Sequence, residues 1–469
     1  MADDSTTAGQ DQRALLTNVG HRLDELPIGP THRKVVLAVG LGLFFEIYEI
    51  FLASTIAATF KATYGIHGVV LEWLLASTFF GMFIGAAVLG RLADRIGRRR
   101  AFLLNLTWFS ACSLLGALAP TLWILVAARL LAGVGVGAET PVADSYLSDV
   151  LPKSHRGRLT AWAYTCSFVA VPVLGFLSLR LGDGSLFGVP GWRILLVVGS
   201  LGAMCVALIR RGLPESPRWL AGMGRADEAR AAMRAFESGT GASAADDAAV
   251  EPCPAHPQTS TDASEDVSPI RRLRVSPYRQ RMLMMSVFHV FQTFGYYGFG
   301  TLAALVLVGR GYDLTSSLTF TALSYLGYPI GSALSIPMLK WFERKVLIMA
   351  SAALMALCGM LFATADYAVL IVVFGFLTTV ASNVFSNAYH VYQAEIFPTG
   401  ARSTAVGLTY SLSRLSSGML PLILIPVLNH YGATTMFGVV VVALLISITA
   451  VAVGGPRTSG RSLEEVNPA

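Results

Sequence analysis

Tyr146-Leu-Ser-Asp149-Val-Leu-Pro152, followed by Arg156, returns 246 residues later as Tyr392-Gln-Ala-Glu395-Ile-Phe-Pro398, followed by Arg402. The same offset sets Phe45-Glu46-Ile-Tyr48 against Phe291-Gln292-Thr-Phe294, and Arg98 and Arg99 against Arg344 and Lys345. A tyrosine, an acid, a proline and an arginine recurring in register mark a duplicated unit. The chain therefore divides into two related halves.

The residues around the repeat say what each half is made of. Of 469 residues, 54% are hydrophobic and 14% charged, against roughly a quarter charged in soluble domains. Apolar runs of about 20 residues, the length of a membrane-spanning helix, recur along most of the chain. Twelve helices are expected, near 34–60, 70–92, 99–119, 121–147, 158–181, 191–211, 280–309, 316–341, 344–364, 367–395, 402–428 and 432–454. The fold class is an all-α membrane protein of two pseudo-symmetric six-helix bundles, 34–211 and 280–454. The remaining segments are an N-terminal tail (1–33), a linker (212–279) and a C-terminal tail (455–469). Residues 1–32 lack the apolar core and cleavage site of a secretory signal, so the first span is expected in the mature protein.

Within the linker, 238–268 is rich in Ala, Ser, Asp, Thr and Pro. Such a segment buries too little apolar surface to fold, so it is expected to be disordered. Residues 217–237 carry Trp219, Leu220, Ala229, Met233 and Phe236, a pattern that suits short amphipathic helices on the membrane surface. With the N-terminus in the cytoplasm, 29 of the 35 Lys and Arg fall on the cytoplasmic side and four outside, with Arg129 and Arg414 inside helices. The positive-inside rule then places both termini in the cytoplasm. That asymmetry accounts for the basic pI without nucleic acid. No Cys or His spacing suggests a metal, and Cys112, Cys166, Cys205 and Cys358 read as apolar filler.

Three segments resemble the major facilitator superfamily: Gly90-Arg-Leu-Ala-Asp94-Arg-Ile-Gly97-Arg98-Arg99-Arg100, its loop between helices 2 and 3; Arg129-Leu-Leu-Ala-Gly133-Val-Gly135-Val-Gly137, its helix 4 signature; and Pro214-Glu-Ser-Pro-Arg-Trp-Leu220, the segment after helix 6 in sugar porters and in organic-ion and synaptic-vesicle-protein branches. The resemblance spans roughly 30–455. It implies a monomeric secondary transporter in a bacterial-type inner membrane, working by alternating access. No cofactor is implied, and no P-loop, nucleophile elbow or H-E-x-x-H motif suggests an enzyme. Repeated halves are how many such carriers build a site between two rocking bundles. At the helix ends, Asp94, Arg98, Asp149, Arg156, Glu395 and Arg402 are candidate gating residues, exchanging partners between states. Arg99 and Arg100 fit the positive-inside rule alone.

An ionisable group at mid-membrane costs at least about 2.5 kcal/mol, which makes the intramembrane charges candidates for function. Glu46 and Glu49 share a helix face with spacing three. Two carboxylates this close at low dielectric do not both stay ionised, which suits proton coupling. Phe45-Glu46-Ile-Tyr48-Glu49 resembles the helix 1 motif of aromatic-acid/proton symporters, with Glu for Asp. By resemblance to sugar/proton symporters, Glu49 pairs with Arg129; the pair is either the coupling device or a static ion pair. Glu139, in Gly137-Ala-Glu139-Thr-Pro141, is a third candidate, where the proline frees backbone groups that must face protein or a cavity.

Arg414 is cationic where the organic-cation branch carries an acid. Its planar fork suits a carboxylate, unless it neutralises Glu46 or Glu139. Tyr48, Gln292, Phe294, Tyr296, Tyr297, Asn383, Asn387 and Tyr389 are candidate substrate contacts. His289 and His390 are further polar lining. Their aromatic rings can stack on a ligand and their amides can bind one, although such side chains also join helices. The expected partners are a small organic anion and protons, an aromatic or heterocyclic carboxylate being the first choice. The alternatives are a sugar or polyol symporter, a multidrug or organic-cation exporter, and a non-transporting receptor. The exporter lacks support at Val171-Pro172, where the usual Gly before Pro is missing.

Overall fold

The structure is a computed structural model that describes residues 18–66, 68–152, 155–181, 185–186, 188–238, 273–397, 402–459 and 466, without the side chains at 63, 64, 87, 90, 91, 94 and 402–404. Helix α1 covers 18–25. The first bundle follows as α2 (Pro30–Tyr64), α3 (Val69–Ile96), α4 (Arg98–Ala117), α5 (Leu122–Val150), α6 (Arg156–Phe168), α7 (Ala170–Leu181) and α8 (Gly191–Arg210). A two-stranded hairpin, β1 (Ser185–Leu186) and β2 (Val189–Pro190), precedes α8. Two short helices, α9 (Pro217–Gly222) and α10 (Ala226–Glu237), come next. The second bundle comprises α11 (Tyr278–Gly309), α12 (Leu314–Tyr325), α13 (Gly327–Trp341), α14 (Arg344–Thr364), α15 (Ala368–Glu395) and the stretch Arg402–Gly454. That stretch breaks at Gly432 (φ 81°) into α16 and α17.

Nine helical stretches among the described residues are long and apolar enough to cross a bilayer. One of them holds both α16 and α17, and α4 and the α12–α13 pair complete the twelve spans. Two spans are interrupted for the same reason. Pro172 and Pro329 each lack an N–H, and their rings crowd the carbonyl four residues back. The helices end at those residues, Phe168 and Tyr325.

The 246-residue offset reappears as backbone contact. A Cβ on Gly81 would lie 2.0 Å from the Leu130 carbonyl oxygen, and one on Gly85 1.9 Å from that of Val134. Gly133 and Gly137 on α5 are equally close to the Thr78 and Met82 carbonyls, at 2.2 and 2.1 Å. Small residues thus let α3 and α5 touch. In the second half, Gly327 and Gly331 stand 2.5 and 2.4 Å from the Phe376 and Val380 carbonyls by the same measure. Leu115, Trp123, Leu201, Leu357, Val369 and Val442 are exposed and form part of a lipid-facing apolar belt.

Two expectations are corrected at the side carrying α1, α9 and α10, called the linker side below. The apolar stripe of α9 and α10 does not lie on the membrane. Leu220, Ala229, Met233 and Phe236 are buried in one cluster with Val19 and Leu23 of α1, Val35 of α2 and Tyr146 of α5. Protein was available to cover that stripe, so lipid was not needed. Arg210, one of the 29 positive charges assigned to the cytoplasmic side, is fully buried inside the first bundle. The stretch 238–268 lies outside the described residues, save Ser238.

Candidate substrate and coupling site

The first bundle neutralises most of its own buried charge. Glu49, on α2, accepts from Arg129 Nη1 on α5 and from Ser113 Oγ at 2.8 Å, and its carbonyl accepts from Arg129 Nη2 at 2.7 Å. Glu139 pairs with Arg210 at the end of α8. The Arg210 guanidinium also donates to the carbonyls of Ala38 (3.0 Å) and Val39 (3.1 Å) and lies 4.2 Å from the Phe102 ring centroid. All four side chains are sealed from solvent. A buried charge is tolerated when an opposite charge holds it, and each of these four groups has one, although Glu49 Oε2, Glu139 Oε2 and Arg129 Nε make no hydrogen bond.

Glu46 is different. It is 2% exposed, and Oε1 accepts from Thr140 at 2.7 Å. Oε2 has no hydrogen-bond partner. Across the bundle interface, Arg414 on α16 donates to the hydroxyls of Tyr297 (2.8 Å) and Tyr410 (2.9 Å), and its guanidinium lies 5.1 Å from the Tyr410 ring centroid. No carboxylate reaches ion-pair distance of Arg414 among the described residues. Glu46 and Arg414 act on each other through space, and both act on Tyr297 and Tyr410.

Aromatic rings wall this space. Tyr296 meets Tyr297 edge-on at 4.8 Å, and Phe79 of the first bundle meets Tyr297 at 5.0 Å. Asp144 accepts from the Tyr164 hydroxyl at 2.6 Å and is exposed, although Glu46 and Tyr410 lie within its electrostatic reach. The Asp144 carboxylate is thus accessible near the linker-side end of α5. On the opposite side the bundles close. Phe51 packs edge-on against Tyr325 and Tyr328 at 5.7 and 5.4 Å, Phe168 stacks on Tyr328, and Lys61 donates to Asn429 at 3.3 Å.

The other expected contacts fall in several places. The Tyr48 hydroxyl donates to the Leu195 carbonyl at 3.0 Å and so stays within the first bundle. Asn383 donates to the Tyr328 carbonyl, and Asn387 to Ser335 Oγ at 2.7 Å; both amides join α15 to α13. Gln292 is buried with Oε1 unpartnered, and Phe294 is buried in the core. Tyr389 stacks on His390.

Four of the candidate gating residues have described side chains, Arg98, Asp149, Arg156 and Glu395. Asp149 faces Arg98 at 3.6 Å and accepts from Ser216 Oγ at 3.0 Å. Arg156 goes instead to Asp24 of α1 at 3.2 Å, and Arg218 of α9 also binds Asp24, at 2.8 Å. Glu395 faces Arg344 at 3.3 Å, the repeat of the Arg98–Asp149 pair. The side chains of Asp94 and Arg402 lie outside the described residues. Four contributors were missed: Arg210, Thr140, Tyr410 and Asp24. Tyr410 had a signal, since it lies one helical turn before Arg414. Arg210 had none, because an arginine ending an apolar run reads as an interfacial cation.

Two repeat-related bundles with a charged, aromatic space between them define a secondary carrier of the major facilitator superfamily, a multi-pass membrane protein. The chain belongs to the family described as sugar (and other) transporter, which it matches over residues 36–469. It is 31% identical to a putative metabolite transport protein, YyaJ, of Bacillus subtilis (strain 168), over 86% of this chain and 87% of that one. It is 28% identical to the niacin transporter NiaP of Acinetobacter baylyi, covering 95% and 98% of the two chains. A gentisate transporter of Corynebacterium glutamicum is 25% identical, covering 90% and 86%. Among solved structures, the xylose transporter XylE from E. coli in a partially occluded inward-open conformation superposes with TM-score 0.71 at 20% identity, covering 92% of this chain and 99% of that one.

Proposed function

We propose that the protein is a proton-coupled symporter that takes up a small organic anion, an aromatic or heterocyclic carboxylate such as a niacin-like compound or a hydroxybenzoate. One observation carries this reading. Among the described residues Arg414, buried between the bundles, donates to two neutral hydroxyls, while the sealed arginines Arg129 and Arg210 have carboxylate partners. A cation so placed calls for an anion, and a planar fork binds a carboxylate by two parallel hydrogen bonds. Niacin and gentisate, named in two of the relatives, are both single-ring aromatic carboxylates.

The coupling follows from charge balance. With the site empty, ionised Glu46 is the nearest counter-charge to Arg414. A substrate carboxylate arriving at Arg414 takes over that role. Glu46 then keeps its charge at low dielectric only at high cost, so it takes a proton, and substrate and proton cross together. The Glu49–Arg129 pair is a second coupling element, loosened when Glu49 is protonated. Positive charge is concentrated on the linker side, which we read as cytoplasmic, with both termini there, in an inner membrane. The chain acts as a monomer, and the Arg98–Asp149 and Arg344–Glu395 pairs act as gates.

A sugar symporter is the second reading. The family description and the Glu49–Arg129 pair favour it, but a neutral sugar leaves Arg414 uncompensated. Uptake of labelled nicotinate, gentisate and xylose into proteoliposomes, with and without a pH gradient, separates the two. Gradient-driven accumulation of the acids alone is expected. Accumulation of xylose alone would overturn the anion reading.

A further inference from the structure

We propose that His390 is a specificity-determining residue, the second hydrogen-bond donor of the substrate site, which selects aromatic carboxylates carrying an acceptor on the ring. The inference rests on the anion reading above and deepens it.

The argument starts from Gln393, near the end of α15. Its Oε1 lies 3.0 Å from His289 Nε2 on α11, and its Nε2 lies 3.2 Å from His390 Nδ1. An amide oxygen only accepts, and an amide nitrogen only donates. With the amide in this orientation His289 carries a proton on Nε2; the flipped amide would put that proton on His289 Nδ1, which is buried without a partner. His390 must present a bare Nδ1, which places its own proton on Nε2. One glutamine thus sets the tautomer of both rings.

Packing fixes the ring of His390 as well as its proton. Tyr389 stacks on it at 4.4 Å and 29°, and Tyr410 leans on it at 5.7 Å and 54°. No described residue takes the His390 Nε2–H. His289 is fully buried, whereas His390 is half-buried and its Nε2 is not among the sealed atoms, so its free N–H is accessible to a ligand. Joining α11 to α15 is already done by His289 and Gln393, and the outward N–H adds nothing to it.

Arg414 stands beside this donor. Its guanidinium lies 5.1 Å from the centroid of the same Tyr410 ring, and its charge is felt at His390. A charged fork and a neutral N–H therefore border one aromatic ring. The matching ligand has a carboxylate for Arg414, a flat ring for the tyrosines, and a ring nitrogen or hydroxyl oxygen for His390. Benzoate meets only the first two requirements. A site built to hydrogen-bond a ligand group discriminates against the analogue that lacks it.

The test compares binding of nicotinate and benzoate to the purified full-length protein by calorimetry. The unaltered protein is expected to prefer nicotinate. His390→Phe keeps a ring to stack on Tyr389 and removes the donor. It is expected to weaken nicotinate about tenfold and leave benzoate within about twofold. Equal weakening of both acids, or no change in either, overturns the proposal. Should His390→Phe not fold, Gln393→Leu serves: it frees the tautomer and should narrow the preference for nicotinate, while an unchanged preference overturns the proposal. If the unaltered protein binds neither acid, the anion reading itself fails and this inference falls with it.

Discussion

Arg210 and Glu139 form a sealed ion pair inside the first bundle, and that pairing decides which charges remain for the space between the bundles. With Glu139 held by Arg210 and Glu49 by Arg129, Glu46 is the acid that faces Arg414 with an oxygen unpartnered.

Breaking the Arg210–Glu139 pair should destabilise the first bundle rather than alter selectivity. Glu139→Gln leaves a buried cation uncompensated, at a cost of about 3–5 kcal/mol. Gly42→Ala should act on the same pair from outside it, since a Cβ there would lie 1.9 Å from Arg210 Nη2. Thermal unfolding in detergent is the measurement. A Glu139→Gln protein as stable as the parent would show that the pair contributes no stability.

Substituting Arg414 should remove binding and spare the fold. Its hydrogen bonds go to Tyr297 and Tyr410 hydroxyls, which water can satisfy once the guanidinium is gone. Arg414→Gln is expected to weaken carboxylate binding roughly 10- to 100-fold. Arg414→Lys keeps the charge but loses the fork and should fall between. Undiminished nicotinate binding by Arg414→Gln would place the anion elsewhere.

Glu46 and Glu49 should differ when each is made neutral. Glu46→Gln retains an oxygen for the Thr140 hydroxyl, so the protein should fold, exchange substrate across the membrane, and lose accumulation driven by a pH gradient. Glu49→Gln strips Arg129 of its counter-charge and should lose both stability and gradient-driven accumulation. Assaying exchange and accumulation in the same proteoliposomes separates the two roles. Full accumulation by Glu46→Gln would remove Glu46 from the coupling mechanism.

Acid should release the C-terminal segment from the second bundle. Burial alone would raise the Glu343 carboxyl, but hydrogen bonds from the backbone N–H groups of Thr458 and Ser459 outweigh it and hold the carboxyl below its usual value. Because its folded value is depressed, Glu343 stabilises docking fully above the unfolded carboxylate value of about 4.3. That contribution is lost as pH falls through the lower folded value. Limited proteolysis near Thr458 should show cleavage rising in that acid range, and Glu343→Gln should show it already at neutral pH. Cleavage independent of both would disconnect Glu343 from docking.

Much of the architecture was legible from residue order. Span length and apolarity are local properties set by bilayer thickness, so the twelve spans could be counted without tertiary information. The repeat was legible because duplication preserves spacing, and the carbonyl contacts of Gly85 and Gly331 at one offset are its physical trace. The site was legible only in part. Glu46, Glu49, Arg129 and Arg414 stand out because charge is costly in lipid. Asn383 and Asn387 stand out equally, yet both serve to join α15 to α13.

Sequence alone thus determined that buried charges exist and on which helices they ride. Tertiary structure decided their partners: Arg210 with Glu139, Arg98 with Asp149, Arg156 with Asp24, and Arg414 left facing Glu46. The physical reason is that desolvation makes a partner obligatory without naming it. The choice falls to helix rotation and crossing, which no single helix encodes.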